Sequence, residues 1–327
     1  MDLKEILKER GVPIERALEK YLMVRPPNRL YNAMRHIPLA GGKRLRPIMA
    51  ILTCEIVGGN PEKAIPYAAS LETIHNFTLV HDDVMDDDDL RHGVDACHIV
   101  YGLPTAINAG DALFAYSFEM ITDTDVNNNV KNKLVKHVAR TVREIAEGQQ
   151  MDVDFENMEN VSSAEYLKMI ELKTAILFGA AAYGGALIGG TEDEEAKRLR
   201  NMAVSIGLGF QIWDDYLDAT ASEKLLGKPS GSDIVQGKRT LLVIKTLEKA
   251  DKEQGKKLQE ILDKESNDAK EISEAVNIMK ECGALEECKE IALSNLESAK
   301  KILSNYKDSK ARRNLEELLR FMVERKY

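Results

Sequence analysis

The chain has 327 residues, of which 44% are hydrophobic and 30% charged, and its formal net charge is −9. This composition is typical of a globular protein and excludes a largely disordered chain. The acidic balance argues against a nucleic-acid binder, which needs a broad basic surface, and no apolar run approaches the length of a transmembrane span.

The first predicted element is an amphipathic helix over residues 1–11, where charged residues alternate with Leu and Ile. This segment lacks the apolar core of a signal peptide. The four cysteines form no C-x-x-C pair and are too few for a disulfide framework in a chain of this length. We therefore expect a protein of the reducing cytoplasm.

The prolines indicate where long helices are possible. Eight of the nine lie at or before Pro104, and the ninth is Pro229. Because proline is disfavoured in helix interiors, the two long segments after Pro104 are free to be helical. Apolar residues recur at helical spacing over 130–145 and less strictly over 285–302, whereas alternating β-branched runs are missing. The prediction is an all-α helical bundle with no convincing strand.

The breaks between these helices are short and rich in turn residues, and none resembles an interdomain linker. We therefore predict a single domain over residues 1–327. The segment 180–190, AAAYGGALIGG, contains several glycines, but neither a preceding strand nor a Lys-Ser/Thr pair is present to make it a phosphate loop. Close helix packing is the better interpretation of these small residues.

Two aspartate motifs of the pattern D-D-x-x-D are the most informative feature, and each closes an apolar helical run. They are Asp82, Asp83 and Asp86, and Asp214, Asp215 and Asp218. In a helix, the first and last aspartate of each motif are four residues apart and share a face. Adjacent carboxylates on an apolar helix repel each other, so they predict a divalent-cation site. The following run, 87–89, is interpreted as a solvated acidic patch.

Carboxylates are hard oxygen ligands, which suit Mg²⁺ or Mn²⁺ better than Zn²⁺. Mg²⁺ held in this way usually completes its coordination with water and substrate phosphates. Arginine and lysine side chains complement such phosphates. The candidates are Lys43, Arg44, Arg46, Arg91, Lys173, Lys228 and Lys238. Together with the two motifs, they predict a site for two phosphorylated substrates.

Six blocks in order make the sequence resemble the trans-isoprenyl diphosphate synthases, the polyprenyl synthetase family. The blocks are LYNAMRHIPLAGGKRLRP, LVHDDVMDDDDLRHG, PTAINAGDALFA, ELKTAILF, GFQIWDDYLD and GKRTLLVIKTLEKA. The resemblance covers about residues 30–327 and is greatest to the archaeal geranylgeranyl and farnesyl/geranylgeranyl diphosphate synthases. It implies an all-α bundle around a deep central cavity (the isoprenoid synthase fold) and a homodimer.

The resemblance also implies a role for each matching residue. The six motif aspartates would bind Mg²⁺, for which Mn²⁺ can substitute, and would grip an allylic diphosphate. Isopentenyl diphosphate would be held by Lys43, Arg46 and His75, with His92 at a further family position. The allylic diphosphate would be held by Arg91, Lys173 and Lys228, with Lys238 nearby. The carbocation would form next to Thr174 and Gln211.

The implied reaction is a head-to-tail condensation. The allylic C–O bond ionises, and the metal and cations stabilise the leaving diphosphate. The double bond of isopentenyl diphosphate attacks, and a proton is lost, with the released diphosphate as the implied base. The resemblance assigns chain length to bulk just before the first motif, where Phe77 followed by the small Thr78 matches producers of C20 chains. Helix geometry is less decisive, because Phe77 lies roughly 140° around the helix from Asp82.

One departure from the family concerns His92, which stands where a second arginine is usual. Three other interpretations remain open. A helical HD-type phosphohydrolase would not need two D-D-x-x-D motifs. A non-catalytic subunit of a heteromeric synthase would be expected to lose one motif. A terpene cyclase would lack the residues for isopentenyl diphosphate.

Overall fold

The computed structural model describes residues 3–155, 158, 160–220, 231–264 and 266–324. Helices dominate, which confirms the all-α class. The chain folds into two compact units. The first contains Met1–Val142, Leu177–Asn201 and Ser304–Leu318, and the second contains Arg143–Ile176, Met202–Leu303 and Leu319–Tyr327. The single-domain arrangement stays a prediction.

The first unit begins with α4, α6 and the helices that pack against them. They are α1 (Leu3–Tyr21), α2 (Asn28–Ala40), α3 (Leu45–Ile56), a 3₁₀ turn (Pro61–Ala64), α4 (Ile65–Met85), α5 (Cys97–Tyr101), α6 (Leu103–Thr122) and the start of α7 (Asn128–Phe155). Helix α9 (Ile176–Ile188) and the start of α10 (Asp193–Thr220) also belong here. Helices α4 and α6 pack extensively along each other.

The second unit holds the rest of α7 and α10 and the helices that follow. They are α8 (Ser163–Ile170), a π-helical turn (Glu171–Ala175), α11 (Ser232–Val235), α12 (Leu241–Lys249), α13 (Lys252–Leu262), α14 (Ala269–Glu281) and α15 (Ala284–Leu303). Helix α16 (Lys310–Glu324) begins in the first unit and ends in the second. Ser162 opens α8 with a reciprocal cap to Glu165, and Asp268 opens α14 in the same way with Glu271.

The glycine-rich segment of α9 packs closely, as predicted. A Cβ at Gly184 would lie 2.2 Å from the Tyr67 ring, and one at Gly185 would lie 2.2 Å from the carbonyl oxygen of Ala50. The Tyr67 hydroxyl donates to the Ala180 carbonyl at 2.7 Å. Helices α3 and α4 can approach α9 this closely only because no side chain intervenes.

Two expectations from the sequence require correction: the absence of strands and the exclusion of proline from helix interiors. A short antiparallel pair, β1 (Leu90–Arg91) and β2 (Val94–Asp95), interrupts the helices. Strands of two residues are too short to show alternation in the sequence. Its turn residues have φ values of 52° at His92 and 78° at Gly93, the positive pair of a type I′ turn. Pro13 and Pro38 lie inside α1 and α2, where apolar burial of the surrounding turns outweighs one lost hydrogen bond.

The segment Ser163–Ile188 is interrupted by charged residues and is no continuous apolar run, but its length and mean hydropathy are those of a membrane-crossing helix. Its apolar window is, however, 83% buried inside the protein, which is the ordinary condition of a core helix. Burial within the protein therefore accounts for its apolar composition.

Candidate active site

The first aspartate motif occupies the last turn of α4, and its three carboxylates have different surroundings. Asp82 is half-buried, Asp86 is exposed, and Asp83 is completely buried. The Asp83 Oδ1 accepts a hydrogen bond from Arg91 Nε at 2.7 Å, while its buried Oδ2 accepts none from the described residues. Burial raises the pKa of Asp83, and Arg91 opposes that rise. The motif thus has two accessible carboxylates and one that is engaged inside the protein.

Arg91 links this motif to the short hairpin. Its guanidinium also donates to Asp88 Oδ2 at 3.1 Å. Burial lowers the pKa of Arg91, but Asp83 and Asp88 outweigh that effect and raise it overall. Asp88 therefore pairs with a site residue, whereas the sequence placed it in a solvated acidic patch. The pattern missed this pairing because a hairpin turn brings Arg91 back toward the aspartates.

The loop between α2 and α3 carries the first group of predicted substrate cations. Gly41 and Gly42 have φ values of 124° and 132°, which favour glycine, and Lys43 beside them is exposed. Arg46 lies in the first turn of α3 with its guanidinium 4.4 Å from the centre of the Phe178 ring, a cation–π contact. Burial lowers the pKa of Arg46 to about 10, so it stays charged at neutral pH.

His75 and His92 lie among these cations. Burial lowers the pKa of His75 well below 6.5, and the charges of Arg46, His92, Arg44 and Arg91 lower it further. His92 is exposed at the hairpin turn, but neighbouring protein atoms partly shield its ring from water. This partial desolvation and the charge of Arg91 lower its pKa. The structure therefore brings together His75, His92, Arg46 and Arg91 in one unit. Such a neighbourhood of positive charge is suited to a polyanion.

The second aspartate motif lies near the end of α10, in the other unit. Asp214 is half-buried, whereas Asp215 and Asp218 are buried. Asp215 accepts hydrogen bonds from the Tyr166 hydroxyl at 2.6 Å and from Gln211 Nε2 at 3.0 Å. Burial, and then the charge of Asp233, raise the pKa of Asp215 well above its usual value.

Asp218 acts as a cap for α11. It accepts hydrogen bonds from the Ser232 hydroxyl at 2.7 Å and from the Asp233 amide at 3.0 Å, at the start of α11. Lys238, a few residues on, has an exposed side chain, and its amide donates to the Asp233 carbonyl at 2.9 Å. Lys228, which the sequence also placed in the site, lies outside the described residues.

Lys173 and Thr174 both lie in the π-helical turn, a local widening that is frequent at functional sites. Lys173 Nζ donates to Asp152 Oδ2 at 2.6 Å, and the Thr174 hydroxyl donates to Gln211 Oε1 at 3.4 Å. Gln211 in turn donates to Asp215. No sequence pattern indicates this turn. Gly148 on α7 makes room for it, since a Cβ there would lie 2.4 Å from the Lys173 amide nitrogen.

Phe77, the predicted chain-length residue, packs between α4 and α6. Its ring centre lies 5.3 Å from that of Phe114 and 5.4 Å from that of His81. Phe114 contacts Phe118 at 5.3 Å, which extends the aromatic cluster along α6. Thr78 is half-buried, and its hydroxyl donates to the His75 carbonyl at 2.8 Å. Aromatic neighbours therefore restrict the movement of the Phe77 ring.

Comparison with known proteins shows which family has these features. The sequence profile described as polyprenyl synthetase matches residues 27–279. The chain belongs to the polyprenyl synthetase family. It is 41% identical to the geranylgeranyl diphosphate synthase of Methanosarcina mazei over 327 residues, covering 100% of this chain and 99% of that one.

Two further similar proteins extend the comparison. The geranylfarnesyl diphosphate synthase of Natronomonas pharaonis is 39% identical, with 99% and 98% of the two chains covered. The crystal structure of geranylgeranyl pyrophosphate synthetase from Pyrococcus horikoshii matches with a TM-score of 0.94 at 39% identity, covering 99% and 98% of the chains. The family and prenyltransferase class inferred from the six blocks are confirmed, and the comparisons give no support for a regulatory subunit.

The accessible donors in this polyprenyl synthetase fit Mg²⁺. Within the described ranges, no three His, Cys, Asp or Glu side chains form a preassembled metal cluster. The aspartates with solvent access, Asp82, Asp86 and Asp214, offer hard oxygen atoms and leave positions for water and phosphate. The buried aspartates Asp83 and Asp215 hold neighbouring side chains instead.

Sequence reasoning overlooked the role of Glu72. This glutamate is buried in α4 and forms an ion pair with Arg44, whose Nη1 lies 2.7 Å from Glu72 Oε1. The available signal was a single acidic residue within the apolar run of α4, ten residues before the motif. A buried acid in such a position needs a partner, which indicates a cation elsewhere in the fold.

Proposed function

We propose that this protein condenses isopentenyl diphosphate with allylic diphosphates (dimethylallyl, geranyl and farnesyl), head to tail, to give short-chain trans-prenyl diphosphates. The observation that carries this proposal is the positive charge of Arg46 and Arg91 around His75 and His92, joined through Arg91 to the first aspartate motif. A polyanionic substrate beside metal-binding carboxylates needs both features. The names of the relatives support the same reaction.

In this proposal the residues fall into groups by chemistry. Lys43, Arg46, His75 and His92 bind isopentenyl diphosphate and orient its double bond. Arg91, Lys173, Lys228 and Lys238 bind the allylic diphosphate, and Asp83 and Asp152 hold Arg91 and Lys173 in place for it. Asp82, Asp86 and Asp214 would hold Mg²⁺, for which Mn²⁺ can substitute. The metal would neutralise the charge that develops on the leaving diphosphate.

The remaining predicted metal ligands support these roles indirectly. Asp83 fixes Arg91, Asp215 fixes Tyr166 and Gln211, and Asp218 caps α11. The Gln211 and Thr174 oxygens are dipoles suited to a neighbouring carbocation, which they stabilise without reacting with it. Exclusion of water from this part of the site would prevent capture of that cation.

The main product is geranylgeranyl diphosphate, with farnesyl diphosphate as a shorter product. Phe77 supports this choice because it and Phe114 form a bulky aromatic pair before the first motif. The relatives include enzymes named for geranylgeranyl and for geranylfarnesyl diphosphate, so product length is a property of each chain. In this protein Phe77 sets the maximum length of the product, and the adjacent Thr78 is too small to block the growing chain.

The protein is further proposed to be a single-domain homodimer of the cytoplasm. Exposed apolar side chains on α5 and α6 support self-association, because such a group is unusual on a monomer surface. They are Ile99, Val100, Leu103 and Ile107. Sedimentation at several protein concentrations, compared for the wild type and Leu103→Glu, tests this. A monomeric wild type would contradict it.

Purified protein incubated with labelled isopentenyl diphosphate, each allylic primer and Mg²⁺ tests the reaction. We expect incorporation of label into chains that are longer than the primer, mainly C20, and loss of incorporation after chelation. Release of inorganic phosphate without chain growth would indicate a phosphohydrolase, and a cyclic hydrocarbon would indicate a cyclase. No turnover unless a second polypeptide is added would indicate a subunit.

A further inference from the structure

The loop that carries Lys43 contains a residue with an unusual backbone. Arg44 has φ 52° and ψ 33°, the left-handed conformation, although it carries a long side chain. Non-glycine residues persist in this conformation only where surrounding contacts fix them. Arg44 is also 4% exposed, so its charge is inside the protein. Both features require strong partners.

Those partners come from the two helices below the loop. Arg44 Nη1 donates to Glu72 Oε1 at 2.7 Å, and Nη2 donates to the Pro38 carbonyl at 2.6 Å. Glu72 is 3% exposed in α4, and Pro38 lies in the last turn of α2. A planar guanidinium can satisfy both acceptors at once, which a lysine ammonium cannot do with the same geometry. Arg44 therefore joins the loop to α2 and α4.

The same guanidinium lies beside Gly42, just before Lys43. A Cβ at Gly42 would lie 3.3 Å from Arg44 Nη1 and 3.7 Å from His92 Cε1, so both side chains flank this glycine. Arg44 stands between Lys43 and Arg46 in the sequence. Its anchored position therefore influences where both cations and the ring of His92 are presented.

Glu72 also affects the charges around it. It raises the pKa of Arg46 and of His92 against the lowering effect of burial, whereas Arg44 lowers the pKa of His75 and of His92. The carboxylate thus offsets the mutual repulsion of several cations within one small region. Without Glu72, the pKa values of Arg46 and His92 would be lower and their protonated forms less stable.

We propose that the buried Arg44–Glu72 pair is a positioning unit that holds Lys43, Arg46 and His92 in the arrangement that binds the diphosphate of the homoallylic substrate. This inference rests on the proposed function. Neither Arg44 nor Glu72 touches the substrate; they act through the loop and the hairpin turn. Their loss weakens isopentenyl diphosphate binding selectively, while binding of the allylic substrate is retained.

The test separates positioning from general stability. A single substitution leaves one buried charge unpaired and is expected to destabilise the fold, whereas replacing a whole ion pair by apolar side chains is often tolerated. The main variant is therefore the double substitution Arg44→Met with Glu72→Leu. The matched control is Arg10→Met with Glu55→Leu, which removes a partly buried ion pair at 2.9 Å between α1 and α3. Melting temperature and circular dichroism establish that both variants are folded.

Steady-state kinetics with both substrates provide the readout. We expect the apparent KM for isopentenyl diphosphate to rise by about tenfold or more in the Arg44/Glu72 variant, with kcat and the allylic KM within about threefold of wild type. The Arg10/Glu55 control should leave all three parameters unchanged. Arg44→Lys, with Glu72 retained, should also raise the KM for isopentenyl diphosphate, because lysine cannot reproduce the contacts to both Glu72 and the Pro38 carbonyl.

Three outcomes overturn the inference in different ways. A folded Arg44/Glu72 variant with a normal KM for isopentenyl diphosphate contradicts positioning, provided that Lys43→Ala and Arg46→Ala raise that KM. If Lys43→Ala and Arg46→Ala leave it unchanged, the substrate assignment itself is wrong and the positioning role fails with it. Equal increases in both substrate KM values contradict selectivity.

Discussion

The first aspartate motif at the end of α4 and the second motif in α10 both bury their second aspartate, but they surround it with different partners. Asp83 accepts from the cationic Arg91, whereas Asp215 accepts from the neutral Tyr166 and Gln211. Burial raises the pKa of both carboxyls, and only Asp83 has a cation opposing that rise among its main influences. The same pattern of residues thus produces two electrostatically different sites.

The comparison separates the proposed ligand aspartates from the proposed supporting aspartates. The first residue of each motif, Asp82 or Asp214, retains solvent access, while the second is held by protein groups. A shared helix face follows from the four-residue spacing, but the partners depend on what packs against that helix. The strongest loss of activity is therefore expected at the first residue of each motif.

Asp82→Ala and Asp214→Ala should each reduce kcat by at least about 100-fold, because each removes stabilisation of charge on the leaving group. Steady-state assays at saturating Mg²⁺ measure this effect, with circular dichroism as the folding control. Asp89→Ala removes an exposed aspartate close to the first motif and should leave kcat within about twofold. Near-normal turnover in both motif variants would contradict a role for either cluster.

The supporting aspartates should differ in stability. Asp83→Asn takes a charged partner from Arg91 and should reduce the free energy of unfolding by about 2 kcal/mol at pH 7. Asp215→Asn keeps one acceptor oxygen for the Tyr166 hydroxyl and removes the buried carboxylate. Its NH2 group replaces the oxygen that accepts from Gln211, and Gln211 can meet it by rotating its own side-chain amide, so the effect should be less than about 1 kcal/mol or stabilising. Urea denaturation of the two variants measures the difference. Equal losses would show that the nature of the partner does not matter.

The helices before the two motifs also differ, and this difference concerns product length. Five residues before the first motif lies Phe77, and five residues before the second lies Gly209, where a Cβ would be 3.1 Å from the Ala292 carbonyl oxygen. Phe77→Ser should open space for a longer prenyl chain, so that products beyond C20 appear in chromatography. Gly209→Ala meets close packing and should lower stability without lengthening products.

A folded and active Phe77→Ser variant with unchanged products would place the limit elsewhere. Thr78, Ile74 and the facing Phe114 are then the next positions to test. The contact between Phe77 and Phe114 makes Phe114→Ala the most informative of these, since it removes the other half of the aromatic pair.

The first region has a histidine, His92, among its proposed substrate cations, which predicts a small pH-dependent effect. Partial desolvation of the His92 ring and the charge of Arg91 lower its pKa below 6.5, so it is mainly neutral at pH 8. A bound diphosphate favours the protonated ring, and more so at pH 6. His92→Arg should therefore lower the KM for isopentenyl diphosphate more at pH 8 than at pH 6. Equal effects at both values would show that His92 does not bind as a titrating group.

The sequence was sufficient to predict the helical class and the family, and to select the charged residues that are candidates for the site. Helical periodicity and ordered motifs are local properties of a chain, and they can be recognised without knowledge of tertiary contacts. The hairpin at Leu90–Asp95 was missed because each strand has two residues, and the π-helical turn because its composition is that of an ordinary helix.

Pairing was the part that the sequence could not predict. Asp83 with Arg91 and Arg44 with Glu72 are contacts between separate elements, and nothing in the spacing distinguishes Arg44 from the neighbouring Lys43 and Arg46. The left-handed conformation of Arg44 and the close approach of Gly42 are consequences of packing. Local pattern therefore identified the candidate residues, while the contacts in the structure separate the exposed candidates from those engaged by protein groups.

The most direct test of the central claim is a time course of chain growth with labelled isopentenyl diphosphate and dimethylallyl diphosphate. With Mg²⁺, we predict that C10, C15 and C20 diphosphates appear in succession, that growth stops mainly at C20, and that chelation halts every step. Absence of any elongated diphosphate in the presence of Mg²⁺, from folded wild-type protein, would contradict the proposed condensation.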